Sequence, residues 1–297
     1  MRMVITWMIS SALTLSAVAR AEDCALGQRD LALAQDRIAN VETVEAAELL
    51  RLSIEACPTY DAYEQLGELL AKSAHRRDRV NAVDAFVAAH ARAHSSKTRA
   101  QTLYQYALLL NREDDPQNAY PLITQARTLD PARPDIAELA ATIETQVQSP
   151  KKEQITRALR YTLFKPLTGG SIAATKTAFT AASGPSVNIP INFDTGSTEV
   201  DEQTRPNVSE LAAALADASL EGKRFLFIGH SDARGNPQYN AALSLQRAEA
   251  ISHRVVELEP SLKGRIRVEG HGAREPIDLG TDQRALRANR RLQVIPQ

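Results

Sequence analysis

The run Gly229-His230-Ser231-Asp232-Ala233-Arg234-Gly235-Asn236-Pro237-Gln238-Tyr239-Asn240-Ala241-Ala242-Leu243-Ser244-Leu245-Gln246-Arg247-Ala248 carries more information than any other part of this chain. A short apolar segment precedes it, Phe225-Leu226-Phe227-Ile228, with the length and bulk of a buried strand. A Gly/Asn/Pro loop follows, and then an amphipathic pattern to about Glu257 that has the spacing of a helix. Asp232 is therefore expected at the mouth of a strand, and Arg247 on the helix after it. Opposite charges held on successive elements of one βα unit suit a zwitterionic ligand.

On a 3.6-residue repeat, Asn240, Ser244 and Arg247 share one edge of that helix. Ala241, Leu245, Ala248, Ile251 and Val255 fill the neighbouring face and are expected to pack on the sheet. Gln246, Glu249, His253 and Glu257 then face water, which places the polar stripe at the rim of the core, where a ligand groove would lie. The structural alternative is that Asp232 caps the loop and Arg247 simply pairs with it, as rim ion pairs commonly do.

The whole pattern points further. Gly229-His230-x-Asp232-x-x-Gly235, followed by Tyr239-Asn240-x-x-Leu243-Ser244-x-x-Arg247-Ala248, resembles the peptidoglycan-binding OmpA C-terminal family, which includes Pal and the MotB C-terminal domain. The supporting parts occur in the family's order. Val187-Asn188-Ile189-Pro190-Ile191-Asn192-Phe193-Asp194 looks like its first strand, Gly270-His271-Gly272-Ala273-Arg274-Glu275-Pro276-Ile277 like its later Gly-x-Gly turn, and Asn289-Arg290-Arg291 like its closing Asn-Arg-Arg. The resemblance covers about residues 186–297, and many residue types in register make it specific.

It implies an α+β domain with helices on one side of a mixed β-sheet. The implied ligand is the peptidoglycan stem peptide, held through meso-diaminopimelate, whose free end carries an ammonium and a carboxylate on one carbon. Asp232 would take the ammonium and Arg247 the carboxylate, both as charge-assisted hydrogen bonds. The planar fork of arginine matches a carboxylate where lysine offers a point charge. Asn240 and Ser231 would add neutral hydrogen bonds, and Asp194 would line the other wall. Two of these have structural alternatives: Asp194 as a turn former after a strand, and Asn240 as a bond to the loop backbone.

The other end of the chain speaks to compartment. Met1-Arg2-Met3, an apolar stretch from Val4 to Ala19, and Ala19-Arg20-Ala21 have the layout of a signal peptide over residues 1–21, with a mature start at Glu22. The apolar segment is short beside the ~20 residues of a typical membrane span. A retained signal anchor is the alternative, and membrane contact is expected only in that case. Asp23 stands before Cys24 where a lipoprotein signal needs a small residue. The chain has two cysteines, Cys24 and Cys57. In an exported protein such a pair reads as one disulfide.

Residues 22–146 are rich in Ala and Leu and nearly free of Gly, a composition that favours helices. Over about 27–133 a period near 34 residues resembles tetratricopeptide repeats. One copy carries Tyr106-Ala107, Leu110, Ala119, Ile123, Ala126 and Pro131; a second has Leu66-Gly67, Leu70, Ala82, Phe86 and Ala89; a degenerate first has Leu33-Ala34, Ala46, Leu50, Ser53 and Pro58. Small residues at Gly67/Ala107 and Ala82/Ala119 would let antiparallel helices approach closely. The alternative is an unrelated helical bundle. In the repeat geometry Cys24 and Cys57 lie at adjoining ends of one helical hairpin, where a disulfide would staple the outermost repeat. Residues 147–185, polar, Pro-punctuated and then rich in Gly, Ser, Thr and Ala, read as a linker with a possible short helix between Ile155 and Leu167.

The formal net charge of −1 offers no global basic field, and no nucleic-acid partner is expected. Arg284, Arg287, Arg290 and Arg291 read as a salt-bridged helix or loop face. The sequence contains no His-Glu-x-x-His, Gly-x-Ser-x-Gly or phosphate loop, so neither catalysis nor a metal or cofactor is expected. His230 and His271, beside glycines at strand ends, would support turns or the pocket. The reading is a multidomain, non-catalytic periplasmic scaffold: tetratricopeptide-like helices hold a protein partner, and an OmpA-like domain holds peptidoglycan. The competing readings are an interaction module with a vestigial pocket and a cell-wall hydrolase.

Overall fold

The computed structural model describes the backbone over residues 4–160, 186–191, 193, 197–202 and 204–297, with side chains from residue 21 onward. The chain divides into two units, Met1–Thr98 and Arg99–Gln297.

The first unit is helical: α1 (Val4–Ala39), α2 (Thr43–Ala56), α3 (Tyr60–Ala71) and α4 (Arg76–Arg92). Consecutive helices pack as hairpins, α1 with α2 and α3 with α4. Thr59 starts α3 by accepting a hydrogen bond from the backbone N–H of Ala62 at 3.3 Å, satisfying one of the donors a helix start leaves open. The cores are built from the small and branched residues of the repeat pattern, with Ala46, Leu50, Ala82, Phe86 and Ala89 all fully buried. Gly67 is required by contact: a Cβ there would lie 2.6 Å from the Phe86 ring. Cys24 and Cys57 form a disulfide that joins α1 to the end of α2, with their Cα atoms 4.6 Å apart. Among the described residues, no helix is long and apolar enough to cross a membrane.

The second unit begins within α5 (Ser96–Arg112) and continues through α6 (Pro116–Leu129), α7 (Pro134–Gln148) and α8 (Lys152–Arg160) into a mixed α+β arrangement. The remaining elements are β1 (Val187–Pro190), α9 (Arg205–Leu215), β2 (Phe225–His230), α10 (Pro237–Leu258), β3 (Ile266–Gly272), α11 (Gln283–Asn289) and β4 (Arg291–Pro296). The sheet order is β1-β4-β2-β3. Strands β2 and β3 are parallel, with α10 in the crossover, and β4 runs antiparallel to both β1 and β2.

Alternation along the strands sets the core. Val187, Ile189, Phe225, Phe227, Leu292 and Val294 turn to one face, where Leu211 and Leu215 of α9 and Ile251 and Val255 of α10 cover them. Helix α8 belongs to the same core through Ile155, Ala158 and Leu159. The segment expected as a linker is thus fixed over residues 148–160. The Asn207 amide donates to the Gln148 carbonyl at 3.1 Å, and the Lys152 N–H donates to Glu210 at 2.7 Å. The possible short helix expected from Ile155 overlaps α8, whose apolar residues at 155, 158 and 159 have amphipathic spacing. The later part of that segment, 161–185, lies outside the described residues.

Because β4 is antiparallel to β2, the chain end of β2, the start of β4 and the end of β1 meet at one edge of the sheet: Gly229 lies opposite Leu292, and Pro190 opposite Arg291. The loop after β2 and the residue before β4 are thereby neighbours.

Candidate functional site

Two glycines bring helix and strands into direct contact. A Cβ at Gly229 of β2 would fall 2.0 Å from the Ser244 carbonyl, and one at Gly270 of β3 would fall 2.6 Å from the Ala241 carbonyl. The backbone of α10 therefore rests on the two parallel strands, with its polar edge turned inward. Ser244 is completely buried: its hydroxyl donates to the Ala241 carbonyl and accepts from Gly272 N–H, both at 2.9 Å. Of the stripe expected at the rim, Ser244 is thus a bolt between helix and sheet. The solvent face is as expected, with Gln246, Glu249, His253 and Glu257 exposed.

The loop after β2 leaves from a fixed point, since Ser231 N–H donates to the Gly272 carbonyl at 2.9 Å. It ends at Asn236, whose side chain caps α10 by accepting from the N–H groups of Gln238 and Tyr239, with Pro237 in the first turn. Between them, Asn240 donates to the carbonyl of Arg234 at 2.8 Å and to that of Asp232 at 3.4 Å. Asn240 therefore has the loop-ordering contacts of its structural alternative. The Ser231 hydroxyl donates to the Asp232 carbonyl at 3.1 Å.

Asp232 is 7% exposed and sits between two guanidinium groups, Arg234 and Arg290, each 2.8 Å from Oδ2. Burial alone would raise its carboxyl, but hydrogen bonds from Arg234 and Arg290 outweigh that and hold it at about 2. Arg247, also 7% exposed, donates from Nε to the Ser197 carbonyl at 3.1 Å, and its guanidinium carbon lies 4.6 Å from the centre of the Phe193 ring. Burial first and the Arg290 charge second lower its pKa from the ordinary arginine value, while Asp232 and Tyr239 oppose the shift. Asp232, Arg290 and Arg247 thus form one electrostatic cluster at the sheet edge. Asp194 lies outside the described residues.

The opposite face of the strands supports this edge. His230 is held at Nε2 by Gln293 at 3.1 Å, and burial pushes it well below the ordinary histidine value, so the ring is neutral. His271 sits edge-on to it, between Glu275 at 2.9 Å and Glu269 at 3.2 Å. Arg291, lowered to about 9 by burial, donates to Asn188 Oδ1 at 2.8 Å and the Glu275 carbonyl at 2.9 Å. Asn289 closes the turn by accepting from Ile277 and Asp278 N–H at 2.8 and 3.1 Å and donating to the Asp278 carbonyl at 2.7 Å.

The arginines near the chain end are therefore not one surface face. Arg284 pairs with Asp278 at 2.7 Å, Arg290 enters the candidate site, and Arg291 is interior. Three site residues were not singled out from the sequence: Arg234, Arg290 and Phe193. For Arg290 the signal was the Asn289-Arg290-Arg291 run, whose place beside Asp232 depends on the antiparallel β4.

A glycine-seated βα unit thus places a buried carboxylate at the strand exit and a buried guanidinium on the helix of a small α+β domain. The OmpA family model matches residues 192–290, and this part of the chain is an OmpA-like domain. The peptidoglycan-associated lipoprotein of Legionella pneumophila is 32% identical over 74 residues, 25% of this chain and 42% of that protein. The peptidoglycan-associated lipoprotein of Pseudomonas aeruginosa is 31% identical over 78 residues, 26% of this chain and 46% of that protein. The chain thus spans less than half the length of these relatives. Among solved structures, the peptidoglycan-associated lipoprotein from Burkholderia pseudomallei is 29% identical, covers 36% of this chain and 88% of its own, and has a TM-score of 0.32. The cell wall anchor of the T6SS from Pseudomonas aeruginosa is 26% identical over 37% of this chain and 78% of its own, again with a TM-score of 0.32.

Proposed function

We propose that this protein is a non-catalytic scaffold of the periplasm that binds peptidoglycan through its OmpA-like domain and a protein partner through its tetratricopeptide-like helices. Asp232 receives the ammonium of a diaminopimelate stem and Arg247 its carboxylate, and Ser231 adds a neutral hydrogen bond. Asn240 acts by holding the loop. The observation that carries this reading is a pair of opposite charges, each 7% exposed, on the exit of β2 and on α10. Burying charged side chains is costly unless something pairs with them, so such a cluster is expected where a charged ligand is recognised. The names of the relatives, which place those proteins with peptidoglycan, support the choice of ligand. The pattern Met1 to Ala21 supports export by a cleaved signal peptide, with an uncleaved inner-membrane anchor as the alternative.

The test uses the full chain, titrated calorimetrically with a soluble diaminopimelate stem peptide beside Asp232→Asn and Arg247→Gln. Each substitution removes a hydrogen bond to a charged group and should weaken binding by about 1.5–3 kcal/mol with the fold retained. A folded wild-type chain that ignores the peptide would mean that the domain serves another purpose. Release of muropeptides from sacculi would instead point to a hydrolase.

A further inference from the structure

The Asp232 carboxylate has no acceptor position left. Oδ1 accepts from the backbone N–H of Arg234 at 3.1 Å and from its Nε at 3.0 Å; Oδ2 accepts from Arg234 Nη2 and from Arg290 Nη1, both at 2.8 Å. A carboxylate offers about four lone-pair directions, and four donors fill them. A further cation can bind only where one of these donors leaves.

The donors differ in how firmly they are held. The Arg234 backbone is fixed, because its carbonyl accepts from Asn240 at 2.8 Å. The Arg290 side chain is 18% exposed and follows directly from α11 into β4. The Arg234 side chain is 62% exposed, and among the described residues its guanidinium bonds only to Asp232. It can rotate into water while the loop, the backbone bond to Asp232 and the Arg290 contact all remain.

We propose that the Arg234 guanidinium is a resident counter-ion of the pocket, which occupies the ammonium position on Asp232 and is displaced into water by the ligand's own ammonium. This rests on Asp232 being the ammonium's partner. The exchange is cation for cation, so the charge around Asp232 is conserved. It also makes the pocket selective. Arg234 is tethered beside its acceptor and competes at high effective concentration, so a solitary amine gains little by replacing it. A ligand that also carries a carboxylate for Arg247 makes a second contact that Arg234 does not contest. The device favours ligands that present both charges on one carbon.

The experiment titrates the full chain with a soluble stem peptide ending in free diaminopimelate, and with the same peptide acetylated at that free-end amine. Wild type, Arg234→Ala and Arg234→Lys are compared, with folding checked by circular dichroism. Arg234→Ala should bind the free peptide about two- to fivefold more tightly, the range expected for removing a mostly exposed ion pair that binding must break. Arg234→Lys should fall between the two, since it keeps the charge and loses the fork. The gain should vanish with the acetylated peptide, which has no ammonium to exchange. Unchanged or weaker binding by Arg234→Ala would overturn the exchange while leaving the ligand in place. A wild-type chain that binds neither peptide would overturn the ligand assignment, and the exchange with it.

Discussion

At the scale of single residues, the candidate site is a set of polar atoms with assigned partners, and two of them make separable predictions. Asp232 has a carboxyl held at about 2, below the ordinary carboxylate value, so the folded state favours its ionised form. The stability this contributes is complete above the unfolded value of about 4 and is lost as pH falls through about 2. Urea midpoints followed from pH 5 downward should drop through that window in wild type and drop less in Asp232→Asn; parallel curves would place the acid sensitivity elsewhere. Ser244 is the second case. Ser244→Ala leaves the buried Gly272 N–H without its acceptor and should cost about 1–3 kcal/mol in denaturant unfolding. An unchanged midpoint would mean that the strand end finds another partner. Asp232, Arg247, Asn240 and Ser231 were legible in the sequence because they lie within one βα unit, where local spacing determines placement. Arg290 and Phe193 were not, because their proximity to Asp232 and Arg247 depends on which strands are neighbours, a long-range fact that spacing does not encode.

The closest approaches between elements come where a side chain is missing, at Gly67, Gly229 and Gly270, and the scale of elements is where sequence reading succeeded best. The apolar run at 225–228 and the 3.6-residue pattern after it became β2 and α10 with ends close to those expected, since the strand is a compact apolar run and the helix carries strong periodicity and an Asn cap followed by Pro. Gly67 is the helical counterpart of Gly229. Gly67→Ala would press a methyl to 2.6 Å from the Phe86 ring and should destabilise the α3–α4 pair by about 1–3 kcal/mol, the usual cost of overpacking. A paired Phe86→Leu should recover part of that loss if the ring is the obstacle. The disulfide acts on the neighbouring hairpin. Its sequence separation of 33 implies about 3–4 kcal/mol from loop closure, so reduction should lower the thermal midpoint of the first unit by roughly 10–30 °C. A midpoint insensitive to reductant would show that packing between α1 and α2 suffices. The helix α8 was harder to read, because its three apolar contacts sit in a short, charged, Pro-flanked stretch whose composition resembles a linker.

For the molecule as a whole, the boundary of the OmpA-like sequence signal and the boundary of the packed unit do not coincide. The family match begins at residue 192, whereas the second unit begins at Arg99. Between them, α8 supplies Ile155, Ala158 and Leu159 to the core that β1, α9, β2, α10 and β4 share. On the α6 side, Asn118 donates to the Ser186 carbonyl at 3.4 Å, just ahead of β1. A fragment of residues 186–297 keeps the whole candidate pocket but uncovers the ground under α9. Burying one large aliphatic side chain is worth about 1.5–3 kcal/mol, so losing Ile155 and Leu159 alone removes about 3–6 kcal/mol. Domains of this size have only about 5–15 kcal/mol in total, so that loss decides whether the fragment is folded. A fragment of residues 99–297 should therefore unfold cooperatively near the stability of the intact second unit, while residues 186–297 should show a much lower urea midpoint and bind a hydrophobic dye. Equal midpoints would mean that α8 is an accessory to the fold. The outcome bears directly on function: where α8 is structural, the helices before the sheet and the pocket at its edge belong to one cooperative body, and loss of stability in either reaches the other.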